Sequence, residues 1–310
     1  MKNLFTFGCS HTNHGYPTWA DILGEQFENH YNFGMGGTGV FFSFYQMISI
    51  IQNKEKWNIT EDDYFVWLVT EENRQDFVMH SEPWPRRGQY FGGYDFWTDN
   101  WYNNSYDWWQ ENYIRDITPL DGLIKAQTHI YTIKQLLEKN NIKHRIILGL
   151  DGSGYPDSAN YNEYKNNINK LIGEHTSLQA IYGLFAEKYE DRNVESAIDE
   201  LHYSFKDMED GVGFQNLHRD GHFQIPVHIK FLKQNFMWFK EKNIEKYLEL
   251  HEKYKTKNYT KKELWNQSQF TYRPDVGLRT NGQISLKTLK SAKNAFGSHF
   301  KNEWYGPPLI

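Results

Sequence analysis

Apolar positions along the first half of the chain come in short runs separated by longer stretches at helical spacing, the mark of βα units feeding a parallel sheet. Residues 4–7 form the first run, and 31–33 end the second. The third, 64–70 (YFVWLVT), is apolar almost throughout, as a strand buried on both faces must be. A fourth lies at 144–150 (HRIILGL). Between them the spacing predicts helices over 17–27, with Pro17 near the first turn and Trp19, Ile22 and Leu23 on one face, and over 40–52. Leu123, Ala126, Ile130, Ile133 and Leu137 recur at helical spacing and predict an amphipathic crossover helix over 120–140. Past residue 151 the pattern turns helical and polar, with helices expected over 160–172 and 178–188, a loop over 214–226 and a helix over 227–242. These elements predict an α/β protein of three layers, α/β/α, over 1–242, followed by a helical, lysine-rich C-terminal extension over 243–310.

One stretch follows neither period. Residues 75–118 form an insertion between the third strand and the crossover helix, with twelve aromatic residues between Trp84 and Tyr113. Such a segment either builds a satellite core under a long loop, or lines a cleft in which Trp101, Trp108 and Trp109 stack on sugar faces while Asn and Asp read hydroxyls. Composition narrows the partners. A net charge of -5 and a pI of about 6.2 argue against a generic nucleic-acid binder and a polybasic membrane anchor, so neither nucleic acid nor membrane is an expected partner. The single cysteine, Cys9, rules out an intramolecular disulfide. The first residues read as a strand and lack the apolar stretch of a signal peptide, so cytoplasmic synthesis is expected.

The candidate chemistry begins where the first strand ends. Gly8-Cys9-Ser10-His11-Thr12 leads directly into a turn, and a serine there lies at the carboxyl edge, where parallel sheets place their ligands. A helix after the turn would offer backbone N–H groups and a favourable dipole end to a developing oxyanion. Taken alone, Ser10 reads as a turn cap. Two further segments change that reading: Asn32-Phe33-Gly34-Met35-Gly36-Gly37 after the second strand, and Asp220-Gly221-His222-Phe223-Gln224-Ile225-Pro226-Val227-His228 late in the chain.

In this order the three segments resemble the blocks of the SGNH (GDSL-like) hydrolases: a Gly-Asp-Ser-like opening with Cys9 in the Asp position, an Asn-x-Gly-x-x-Gly block, and a closing Asp-x-His variant with its second histidine. The resemblance covers roughly 3–74 and 120–240 and implies a flavodoxin-like parallel sheet. It implies Ser10 as nucleophile, His222 as general base and Asp220 as the group that orients it, a division of labour in which imidazole takes the proton that makes a hydroxyl nucleophilic. It also implies backbone donors at Ser10 and Gly37 for the oxyanion. A second Asp-x-x-His, Asp199 and His202, sits within a helical pattern and lacks the Pro-like stop. The third block departs from the family: where Gly-x-Asn is expected the chain reads Val69-Thr70-Glu71-Glu72-Asn73-Arg74. Glu71 in the asparagine position would repel an oxyanion, and Asn73 or the Thr70 hydroxyl is the local substitute. Glu71 would then turn outward, or pair with Arg74, Arg86 or Arg87.

The expectation is a serine esterase or deacylase acting through an acyl-Ser10 intermediate on an acylated small molecule or glycan, without metal or other cofactor. The opening Phe-Gly-Cys-Ser-His-Thr also resembles SGNH-like proteins of tailed bacteriophages, which would imply a virion-associated role. Two alternatives stand beside it: a degenerate SGNH scaffold serving as a virion, assembly or glycan-binding protein, and an O-acyltransferase using the same triad. Nothing in the pattern sets an oligomeric state. Other signals carry less. Gly34 to Gly39 spells G-x-G-x-x-G, but the acidic residue about 20 positions on is missing. His11, His14, His218, His222 and His228 lack any metal-ligand spacing and read as hydrogen-bonding imidazoles. Asp151-Gly152-Ser153-Gly154 lacks the alternating ligands of a calcium loop, and Cys9 reads as a small buried side chain.

Overall fold

The computed structural model describes residues 2–14, 16–34, 38–70, 74–80, 89–95, 100–102, 119–149, 159–181, 202–206, 217–241, 244–255, 271–273 and 278–280. Four parallel strands form the centre of the main sheet: β1 (Asn3–Phe7), β2 (Asn29–Asn32), β3 (Tyr64–Val69) and, further on, β7 (Lys143–Leu148). Their order, β2–β1–β3–β7, is that of a flavodoxin-like doubly wound sheet, whose switch point lies between β1 and β3. The period of two sorts each strand onto two cores. Phe5, Phe7, Phe65, Trp67 and Val69 face one side, while Leu4, Val66 and Leu68 face the other.

Helices cover both faces. On the first lie α2 (Val40–Gln52), α4 (Pro119–Lys139) and α5 (Ala159–Ile172), after a short α3 (Lys54–Trp57); Met47, Ile50, Ile130, Ile133 and Ile168 are sealed against the strands. On the second lie α1 (Trp19–Gly24), α6 (Ile225–Asn235) and α7 (Ile244–Lys255), contributing Trp19, Leu23, Phe231, Leu232 and Tyr247. The aromatic-rich composition is visible in the first core, where Phe5 stacks at 4.9 Å on Tyr31 and at 4.7 Å on Phe65. Among the described residues no helix is long and apolar enough to cross a membrane.

Three expectations change. The insertion holds a three-stranded antiparallel sheet, β4 (Arg74–His80), β5 (Gln89–Asp95) and β6 (Asn100–Tyr102), which its mixture of rings and glycines concealed. The segment expected as a loop over 214–226 contains strand β9 (Leu217–Phe223), paired antiparallel with β8 (His202–Lys206), and β8 includes the His202 expected in a helical pattern. Strand pairing overrides local propensity there, since LHRDGHF is polar and carries a glycine. Within the lysine-rich region, α7 packs Tyr247 and Tyr254 into the second core, and a hairpin of β10 (Thr271–Arg273) and β11 (Leu278–Thr280) adds to the β2 edge of the main sheet. The helix expected over 178–188 is helical at 178–181; its remainder lies outside the described residues.

Candidate active site

The turn after β1 is made by glycine and closed by backbone. Gly8 has φ +148°, and a Cβ there would meet the Thr12 hydroxyl and, at 2.8 Å, the Leu68 carbonyl. The Thr12 and Asn13 N–H groups both donate to the Cys9 carbonyl, at 2.9 and 3.2 Å. The Thr12 carbonyl in turn accepts from the Thr18 hydroxyl at 2.7 Å and the Asn32 amide at 2.8 Å. This leaves Cys9 buried and Ser10 half-buried at the carboxyl edge. The helix that follows, α1, does not start until Trp19, and the Thr18 N–H ahead of it is taken by Asp21 at 2.8 Å.

The glycine loop is tied to the same turn at its start. The Asn13 amide donates to the Gly34 carbonyl at 2.7 Å, and the Gly34 N–H donates to Asn32 Oδ1 at 3.0 Å. A Cβ on Gly34 would lie 2.8 Å from the Asn13 Cβ, so this glycine permits close approach. Gly37, the expected oxyanion donor, lies outside the described residues. At its far end the loop meets a group that the sequence did not announce. Helix α2 has glycine at its N-cap, Gly39, and phenylalanine at its third position, Phe42, so neither can supply a capping side chain. Asp76 of β4 supplies both bonds, accepting the Gly39 N–H at 2.6 Å and the Phe42 N–H at 2.8 Å. A Cβ on Gly39 would lie 2.5 Å from the Arg74 carbonyl. The last glycine of the G-x-G-x-x-G string thus makes room for β4. Burial pushes the Asp76 carboxyl up to about 7, against the pull of the Gly39, Phe42 and Phe41 N–H groups and Arg74.

The closing segment reaches this turn from β9. His222, half-buried, stacks its ring on His14 with centroids 3.9 Å apart and an interplanar angle of 23°, and sits 4.9 Å from His11. His228, from α6, is buried nearby, and neither of its nitrogens has a hydrogen-bond partner of ordinary geometry among the described residues. Burial lowers the His11 pKa well below the usual histidine range, and His222, Arg74, His228 and His14 lower it further. Burial likewise brings His228 down to about 3, with His222 and His14 adding to the shift and the Phe223 backbone opposing it. Both rings are neutral at physiological pH. Asp220 stands two positions before His222 on β9, where the pairing with β8 shifts register between Arg219 and Phe223; its side chain lies outside the described residues.

Of the other expected residues, Thr70 follows β3 directly, is buried, and its hydroxyl has no partner among the described residues. Glu71, Asn73, Arg86, Arg87, Trp108 and Trp109 lie outside the described residues. Trp101 is in β6, in register with Tyr94. The alternative His202 is on β8 in register with Phe223, and Asp199 lies outside the described residues. Among the described residues no three His, Cys, Asp or Glu side chains are arranged to hold a metal ion. His14, His228 and Asp76 are the site residues that sequence reasoning missed as contributors. The signal for Asp76 was the absence of any capping residue at the start of α2. Comparison of the chain with protein-family models, curated proteins and solved structures finds no match in any of the three.

Proposed function

We propose that the chain is a serine esterase or deacylase of SGNH type that acts on O-acylated carbohydrate through an acyl-Ser10 intermediate. The observation that carries this reading is the packing of the His222 ring against His14 and His11, two residues of the turn that begins at Ser10. A strand late in the chain thereby brings an imidazole to the serine turn at the carboxyl edge of the sheet, where a general base is needed.

In this mechanism His222 takes the Ser10 hydroxyl proton as Oγ attacks the ester carbonyl. The carbonyl electrons move to the oxygen, which the Ser10 and Gly37 N–H groups and the Thr70 hydroxyl or Asn73 amide receive. Asp220 holds the imidazole in the tautomer that accepts at the serine side. Collapse of the intermediate breaks the ester C–O bond, and His222 returns its proton to the departing sugar hydroxyl. Water then repeats the sequence on the acyl-enzyme and releases the acid. The insertion sheet starts at Arg74 beside the first turn of α2, so its aromatic residues are the candidates for gripping the sugar.

The test is labelling of the whole protein with a fluorophosphonate probe, followed by peptide mapping. The expected result is a single modification at Ser10, absent in Ser10→Ala, which also loses p-nitrophenyl acetate hydrolysis at an unchanged circular dichroism spectrum. An unlabelled wild type would transfer the site to the glycan-binding scaffold reading. Excess sugar acceptor then separates hydrolase from acyltransferase by whether free acid or a new ester accumulates.

A further inference from the structure

The triad chemistry accounts for one imidazole at the carboxyl edge and leaves another in contact with it. His14 is buried, lies in the turn after Ser10, and presents a ring face to His222 at 3.9 Å. Its own orientation is set from the side by Tyr16, whose ring meets it nearly perpendicular, with centroids 4.7 Å apart and planes at 79°. His222 is thus held against a flat surface that is itself held, while His11 closes a second side at 4.9 Å and 48°. An imidazole that must receive a proton from one atom and return it to another needs a fixed tilt, since small misplacement of a reacting group costs large factors in rate.

We propose that His14 is a positioning residue for His222: its stacked ring fixes the plane of the base, and its π face adjoins the imidazolium that forms when Ser10 gives up its proton. The inference rests on the Ser10/His222 reading given above. With His14 itself neutral, attraction between the cation and the ring face is realised once the proton has moved, so it favours the transition state over the bound substrate. This role needs an aromatic face and no proton exchange at His14. It therefore differs from one in which His14 is itself the base.

Three forms of the full chain separate these cases: wild type, His14→Ala and His14→Phe, assayed with p-nitrophenyl acetate and by the rate of fluorophosphonate labelling at Ser10, each well below its Tm. His14→Ala is expected to lower kcat roughly tenfold with KM unchanged, the size of a lost cation–ring contact. His14→Phe is expected to restore most of that loss. Equal, low kcat in both variants would overturn the proposal, because it would mean that the imidazole nitrogens matter. A lowered Tm with unchanged kcat in His14→Ala would overturn it too, leaving His14 as packing alone. A wild type that takes no label at Ser10 would remove the parent reading, a result distinct from labelled wild type with an indifferent His14.

Discussion

The amino edge of the parallel sheet closes buried polar groups into one network, while the carboxyl edge pairs some and leaves others. At the amino edge Asp63 is fully buried and accepts three bonds: the Asn3 N–H at 3.0 Å, the Asn3 amide at 2.7 Å and the Thr60 N–H at 2.8 Å. Asn29 completes the ring by donating to Asn3 Oδ1 at 2.8 Å. At the carboxyl edge the Thr70 hydroxyl and the Nδ1 of His11 are buried with no such partner among the described residues. Native interiors pair nearly all of their polar atoms, so each exception is a place where stability has been set aside; others, Ser49 Oγ and Arg145 Nε among them, lie away from this edge. A groove of about 920 Å³ lies beside the closed network, lined by Lys2, Tyr31, Trp57 and Asn140 among others.

That contrast can be broken at either end. The largest effect is expected from Asp63→Ala, which strands three donors and should cost about 3 kcal/mol or more in urea unfolding. Turnover per folded molecule should not change, and a loss of kcat at constant stability would erase the division between the edges. Next in size is Thr70→Val, which keeps shape and removes the hydroxyl. If that hydroxyl receives the oxyanion, kcat for a small ester falls about 10²-fold at unchanged KM. Unaltered turnover would move the role to Asn73, and Asn73→Ala would then show the loss. The smallest effect, taken per unit of pH, is that of acid on stability. His228 titrates at about 3 in the fold against an ordinary value of 6.5, so below 6.5 the unfolded chain binds a proton that the folded chain refuses. Its contribution to stability is therefore present above 6.5 and is lost as pH falls toward 3. His228→Leu should flatten the acid limb of the stability curve by up to about 1.4 kcal/mol per pH unit. An unchanged slope would mean that the site accommodates the charge.

The sheet was legible because its strands obey a simple rule. The run YFVWLV admits only a strand covered on both faces, and the spacing from Leu123 to Leu137 admits only a helix with one buried stripe. The strand β9 was not legible, because its pairing with β8, not its composition, makes it a strand: LHRDGHF is polar and carries a glycine. The β10–β11 hairpin escaped because each strand is three residues long, too short for a period of two to show. In the site, Ser10 and the glycine at position 8 could be read from a motif whose turn geometry is local. The stacking of His14 on His222 and the reach of Asp76 to α2 could not, since both join segments that meet only after the sheet has formed.

The cover on the second face of the sheet also sets a timetable for biosynthesis. Trp19 packs against Phe231 at 5.9 Å, the Gln26 amide holds the Lys240 carbonyl at 2.8 Å, and Glu25 receives the Tyr247 hydroxyl at 3.0 Å together with Lys246 at 2.6 Å. The first helix is thus clasped by segments that leave the ribosome about 200 residues after it. Until they emerge, the nascent chain carries a sheet clothed on one side and bare on the other, the condition in which partly made α/β domains call on chaperones. The imidazole that would activate Ser10 arrives on the same late stretch as that clasp. On the proposed reading, a growing polypeptide therefore holds its serine turn without a base until the stretch that closes the wall has emerged.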